Sequence, residues 1–150
     1  MTWFKKIVVL VFVILILIQF IQPSRNNSRP VSAVNFEKIY QVPGNVSSML
    51  KASCYDCHSN NTSYPWYSNI QPGAWWMSSH IKRGKAELNF DEFGNYSALR
   101  RRNKLQAVIN SINDGTMPLA SYTIMHQNAR LSSEDKKTLL DWLAAKKDSQ

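Results

Sequence analysis

Cysteine, glycine and any strand-like alternation of apolar and polar residues are scarce in this chain. Cys54 and Cys57 are its only cysteines. Three positions apart, they cannot be the disulfide framework of a whole domain. Five Gly and six Pro in 150 residues exclude a collagen-like chain and a Pro/Gly-rich disordered one. No Ser-His-Asp set, phosphate-binding glycine loop or carboxylate pair stands out, so nothing points to hydrolysis or group transfer. Acidic residues are absent from the first 30 positions, which carry Lys5, Lys6, Arg25 and Arg29. The whole chain has 18 Lys and Arg against 10 Asp and Glu, a formal +8. Without the four N-terminal cations, 14 face 10, a net +4 over residues 31–150. That is too mild to argue for nucleic acid. The length suits about one domain.

A long apolar run occurs once. Lys5 and Lys6 precede the uninterrupted apolar residues 7–18, and Gln19, Phe20 and Ile21 lead on to Gln22-Pro23. A basic start before an apolar stretch reads as an export signal. Residues 3–21 as helix would span about 28 Å, close to a bilayer's hydrocarbon thickness. Lys5 and Lys6 would then snorkel, and Trp3 would sit at the interface. No small-x-small cleavage site follows closely, because Val31-Ser32-Ala33 lies too far along, and no Cys follows for a lipid. The expectation is an uncleaved transmembrane segment over residues 1–22, a Pro/Ser/Asn/Arg-containing tether over 23–35 and one domain over 36–147.

Within that domain the periodic segments are helical. Val46, Met49, Leu50, Ser53, Cys54 and Cys57 fall on one face of a helix that enters the cysteine pair. Residues 59–72 read as loop, and residues 73–82 as a short helix carrying Trp75, Trp76 and His80. Leu105, Val108, Ile109 and Ile112 repeat the helical spacing, and Asp114-Gly115 ends that helix. Ser132-Ser-Glu-Asp135 is a capping-box start for a last helix with Leu139, Trp142 and Leu143 on one side. The domain is expected to be all-α with long loops, the first and last helices packing together so that Trp142 nears Val46 and Leu50. Long loops around short helices need something to pack on, which hints at a bound group in the middle.

Cys54-Tyr55-Asp56-Cys57-His58 is a C-x-x-C-H motif. On one helical turn two sulfurs three apart face the same way and can meet the two vinyl groups on one edge of a haem. The adjacent His58 then ligates the iron. Three other readings compete: a thioredoxin-like dithiol, which would want a βαβ context; a zinc site, which would have to recruit His80 or His126; and a plain disulfide. Covalent haem attachment takes place outside the cytoplasm, so the motif orients the expected membrane segment with its N-terminus inside and the domain on the periplasmic side.

An electron-carrying haem usually has two axial ligands. Candidates for the sixth position are Met77, His80, Met117, Met125 and His126. Met117 is preferred. It lies in Asp114-Gly-Thr-Met-Pro118 directly after a helix end, where Gly115 permits a chain reversal and Pro118 stiffens the far side. His80 and then His126 are the alternatives. Trp66, Trp75, Trp76, Tyr64 and Tyr67 could cover a porphyrin, whereas Trp142 reads as core. Arg100-Arg-Arg-Asn-Lys104 is either a solvated helix face or a docking patch for an acidic redox partner.

C-x-x-C-H early, Gly-x-Met-Pro late and a terminal Leu-x-x-Trp-Leu resemble small monohaem c-type cytochromes. More closely, Cys54-Tyr-Asp-Cys-His-Ser-Asn, Tyr64-Pro-Trp-Tyr67, Trp75-Trp76 with His80-Ile81, Leu88-Asn89-Phe90 and Met117-Pro118-Leu119 resemble the bacterial haem-binding domain family, over roughly residues 35–147. The resemblance implies an extracytoplasmic haem protein. Together these readings predict a cytochrome c-like helical domain around one covalent haem c, tethered to the membrane and transferring single electrons. The alternatives are a haem-based sensor or peroxidase-like module with an open sixth site, and a zinc or dithiol site.

Overall fold

The computed structural model describes residues 2–28 and 32–149. Residues 29–31, in the segment read as a tether, lie outside it, and with them Val31 of the Val31-Ser32-Ala33 site. Every regular element among the described residues is helical, as the periodicity predicts. The chain runs α1 (Trp3–Ile18), α2 (Phe36–Tyr40), α3 (Gly44–Leu50), a π-helical turn (Lys51–Tyr55), α4 (Asp56–His58), α5 (Gly73–Glu87), α6 (Ala98–Asn113), α7 (Ala120–Met125) and α8 (Ser133–Asp148). Short 3-10 turns occupy Trp66–Asn69, Phe90–Asn95 and Gln127–Ala129.

Phe36 organises the core. It is fully buried, and its ring meets Tyr40, Phe90, Phe93 and Trp142 edge-on, with centroids 4.9, 5.0, 4.9 and 5.8 Å away. Edge-to-face contact sets the positive rim of one ring against the negative face of the next. Val46 and Leu50 of α3, Leu105 and Ile112 of α6, and Leu139 and Leu143 of α8 complete the same core. Helix α8 packs mainly on α6 and also touches α3, the helix expected to meet it; Trp142 is half-buried and packs on the core beside Phe36 and Tyr40. Ser132 caps α8 through a full capping box with Asp135. Ser97 caps α6 by accepting from the Arg100 amide, and Gly115 turns the chain at its other end with φ +67°.

The expectation of a transmembrane helix is overturned. No helix among the described residues is long and apolar enough to cross a membrane, which removes the single-pass, periplasm-facing placement built on it. Helix α1 has 16 residues, about 24 Å at 1.5 Å per residue, against the ~30 Å of a bilayer's hydrocarbon core. It stops because the residues that were to extend it bond to the domain instead. Gln19 Nε2 donates to the Gln71 carbonyl and Gln19 Oε1 accepts from the Gln71 amide. Gln71 Nε2 and Trp75 Nε1 both donate to the Ile21 carbonyl, and Gln22 Nε2 donates to the Asn69 carbonyl. Farther along, Asn27 forms an antiparallel bridge with Asn61. Two smaller differences concern the helices. Helix α5 runs on to Glu87, five residues beyond the expected end, and the helix expected through residues 46–57 is interrupted by the π turn.

Truncating Phe36 to Ala empties the point where four rings converge. A loss of about 3–5 kcal/mol is expected, read as a lower urea midpoint at unchanged m-value.

Candidate functional site

The π turn places Cys54, and α4 places Cys57 and His58. π turns are rare and often sit at functional sites. Helix α5 lies against α4, and the approach is close enough to need glycine. A Cβ on Gly84 would stand 2.7 Å from the Cys57 carbonyl oxygen and 3.3 Å from its Cβ. This contact sets His58. Its Nδ1–H donates to the carbonyls of Gly84, at 2.9 Å, and Leu88, at 3.1 Å. With Nδ1 protonated, Nε2 is the lone-pair nitrogen, the tautomer that a metal-ligating histidine presents. Burial lowers the His58 pKa, and the two carbonyl bonds act against that shift.

Beside these residues opens a cavity of about 380 Å³, within the range of small-molecule and cofactor sites. Cys54, Cys57 and His58 form one wall. Helix α5 contributes His80, Arg83, Gly84 and Glu87, while α6 contributes Lys104, Val108 and Ile112. Met117, Pro118 and Leu119 of the loop after α6 and Tyr122 of α7 close another side. Backbone bonds from Thr116 and Met117 to the Ser111 carbonyl, 3.0 and 3.1 Å, fold that loop back on α6.

Of the residues singled out from sequence, the structure brings Cys54, Cys57, His58, His80 and Met117 to this one cavity. It places the others elsewhere. His126 Nε2 lies 2.6 Å from the Tyr67 hydroxyl, and its ring stacks on Tyr122 at 4.2 Å. Met77 borders a separate hollow of about 120 Å³ beside Gln22 and Arg25, and Met125 is exposed.

The expected aromatic cover is not built from Trp66, Trp75, Trp76, Tyr64 and Tyr67. Trp66 and Trp76 are exposed. Trp75 holds the Ile21 carbonyl, and the Tyr64 hydroxyl accepts from the Asn26 amide. The aromatics at the cavity are Phe90 and Tyr122. The basic run also divides: Arg101 donates to the Tyr96 and Gly94 carbonyls, Arg100 lies over the Tyr96 ring, and Lys104 turns to the cavity.

Sequence reasoning missed Gly84, the Leu88 carbonyl, Tyr122 and Asp56. Asp56, a mere spacer in the motif, accepts from the Tyr122 hydroxyl at 2.7 Å and from the Ser63 amide at 2.9 Å. It thereby ties the motif to α7. Only Gly84 carried a signal, since a glycine inside a helix is costly unless something comes close.

Both cysteines are free. Burial, with the neighbouring Cys57 adding to it, pushes the Cys54 thiol up to about 12. Burial and Asp56 push Cys57 up to about 11. A reactive dithiol needs lowered values, so this environment is unlike that of a redox pair. No group of three or more His, Cys, Asp or Glu side chains among the described residues converges as a metal cage, which gives the zinc reading no support.

A family model described as haem-binding domain matches residues 13–145. The chain belongs to the haem-binding domain family. No curated protein and no solved structure matches it. The residues present fit a haem: a neutral histidine with its outer nitrogen fixed, two thiols, a thioether and an aliphatic wall share one cavity in this haem-binding domain.

Gly84→Ala forces the new methyl onto the Cys57 backbone. A cost of roughly 1–3 kcal/mol is expected, with a lower haem-to-protein absorbance ratio. Gly44→Ala, in helix α3 where nothing lies within 4 Å, should leave the haem ratio intact and should not lower the urea midpoint.

Proposed function

We propose that this haem-binding domain is a monohaem c-type cytochrome that transfers single electrons. The observation that carries the reading is the convergence of Cys54, Cys57, His58 and Met117 on one cavity, with His58 already held through Nδ1. In this reading Cys54 and Cys57 would hold a haem c covalently through their sulfurs. His58 Nε2 and the Met117 thioether would ligate its iron. A bound haem c supplies reversible one-electron chemistry at its iron. The chain's own part is to orient and to exclude water. The Gly84 and Leu88 carbonyls fix the His58 ring and raise its basicity as a ligand. Val108, Ile112 and Leu119 keep the surroundings apolar.

Met117 is favoured over His80 because the two come from different elements. His80 also uses Nδ1 on a carbonyl, that of Trp76 at 2.9 Å. It stands, however, on α5, the helix that already receives His58, whereas Met117 arrives from the loop beyond α6. A second reading is a haem sensor that binds a gas; Met117 stands on a loop and not on a helix, and in that reading it would yield the sixth position. For an electron carrier, an acidic partner would dock on exposed Arg100 and Arg102, which the internal role of Arg101 leaves as the outward part of the run.

Denatured wild-type chain should keep its haem, and the Cys54→Ala/Cys57→Ala double variant should lose it; a wild type that sheds haem would end the c-type reading. Met117→Ala should retain haem, show a lower reduction potential and bind carbon monoxide when reduced. Wild type that binds carbon monoxide as readily would make the sensor reading the right one. Electron transfer to an acidic partner should slow as ionic strength rises, and more shallowly in Arg100→Gln/Arg102→Gln.

A further inference from the structure

Haem brings two carboxylates as well as an iron, and an apolar cavity cannot take them in unpaired. The charged side chains at this cavity are few. Arg83 and Glu87 come from α5, Lys104 from α6 and Asp56 from α4, and Asp56 is already committed to Tyr122 and Ser63. Lys104 lies close against the protein. Its side chain is only 22% exposed, and its partner Glu87 Oε2 is 3.7 Å away on a side chain that is 83% exposed. A loose, solvated carboxylate is a weak partner for a cation held against an apolar wall. Arg83 stands one turn before Glu87 on the same face of α5. Arg83 is exposed, and its guanidinium donates to the neutral Ser79 hydroxyl at 2.9 Å, not to a carboxylate. Two cations on two different helices thus border one cavity.

We propose that Arg83 and Lys104 bind the two haem propionates, and that Glu87 is the exchangeable counter-ion of Lys104 that gives way when haem enters. The proposal rests on haem occupying this cavity. It makes Arg83 and Lys104 positioning residues. They fix the carboxylate edge of the ligand, as the cysteine pair fixes its vinyl edge in the reading above. Arg83 offers a planar fork suited to a carboxylate, and Lys104 a point charge.

The test compares holoprotein of wild type, Lys104→Gln, Arg83→Gln, Lys104→Arg and Glu87→Gln. The readouts are the propionate bending bands in resonance Raman spectra and the reduction potential between pH 5 and 8. The other titratable groups that line the cavity, His80 of α5, Asp56, Cys57 and His58 of α4, Cys54 of the π turn and Tyr122 of α7, are common to all five chains. Losing a cationic partner raises a propionate's pKa. In Lys104→Gln and Arg83→Gln the bands should therefore shift, and the potential should climb more steeply than in wild type as pH falls. Lys104→Arg and Glu87→Gln should follow wild type. Unchanged bands and profiles in both Gln variants at Arg83 and Lys104 would overturn the proposal. So would a Glu87→Gln chain that behaves like Lys104→Gln. If instead wild-type haem spectra are indifferent to His58→Ala, haem lies elsewhere, and the underlying reading falls before the proposal is reached.

Discussion

The contact on which the site depends is the approach of α5 to the backbone of Cys57. At Gly84 the two segments are too close for any side chain. Because they are that close, the Gly84 carbonyl can accept from His58 while still accepting from the Leu88 amide within its own helix. One missing methyl group therefore sets the rotation of an imidazole ring, and with it which nitrogen is offered to a ligand. The same helix, turned by its own periodicity, carries His80, Arg83 and Glu87 to the cavity. Shifting α5 outward would move all of these at once.

A second consequence concerns how the domain is bounded. The residues after α1 leave its helix where the amides of Gln19, Gln22 and Gln71 and the indole of Trp75 hydrogen-bond across to or from the domain. Asn26 extends this seam. Its side-chain amide donates to the Ser59 carbonyl and Thr62 hydroxyl, and its carbonyl oxygen accepts from Lys85. The segment leading into the domain is thus fastened to the stretch just after the C-x-x-C-H motif.

How much of this was legible in the sequence follows from the range of each interaction. Helix α8 and its cap, α6 and its glycine stop, and the C-x-x-C-H residues were legible because their signals lie within a turn or two of the chain. The packing of Trp142 on the core was also legible, since it shares a face with Leu139 and Leu143. The length of α1 was not, because its end is decided by partners some 50 residues away. The tryptophans and tyrosines were misplaced for a related reason: composition says that aromatics are present, but only tertiary contact says which ring faces the cavity. The π turn left no mark, as its residues suit an α-helix equally well. Asp56 looked like a spacer because its partner Tyr122 is far along the chain.

Asp56 and Tyr122 also bear on the loop that holds Met117. That loop is pinned at both ends, to the Ser111 carbonyl on one side and through Tyr122 to Asp56 on the other. Between two fixed points, contour length decides how far a thioether can stray. The stretch from 112 to 121 thus behaves like a watch strap cut to size. Changes of residue type along it are tolerable, but an insertion or deletion of even one residue would slacken or overdraw it.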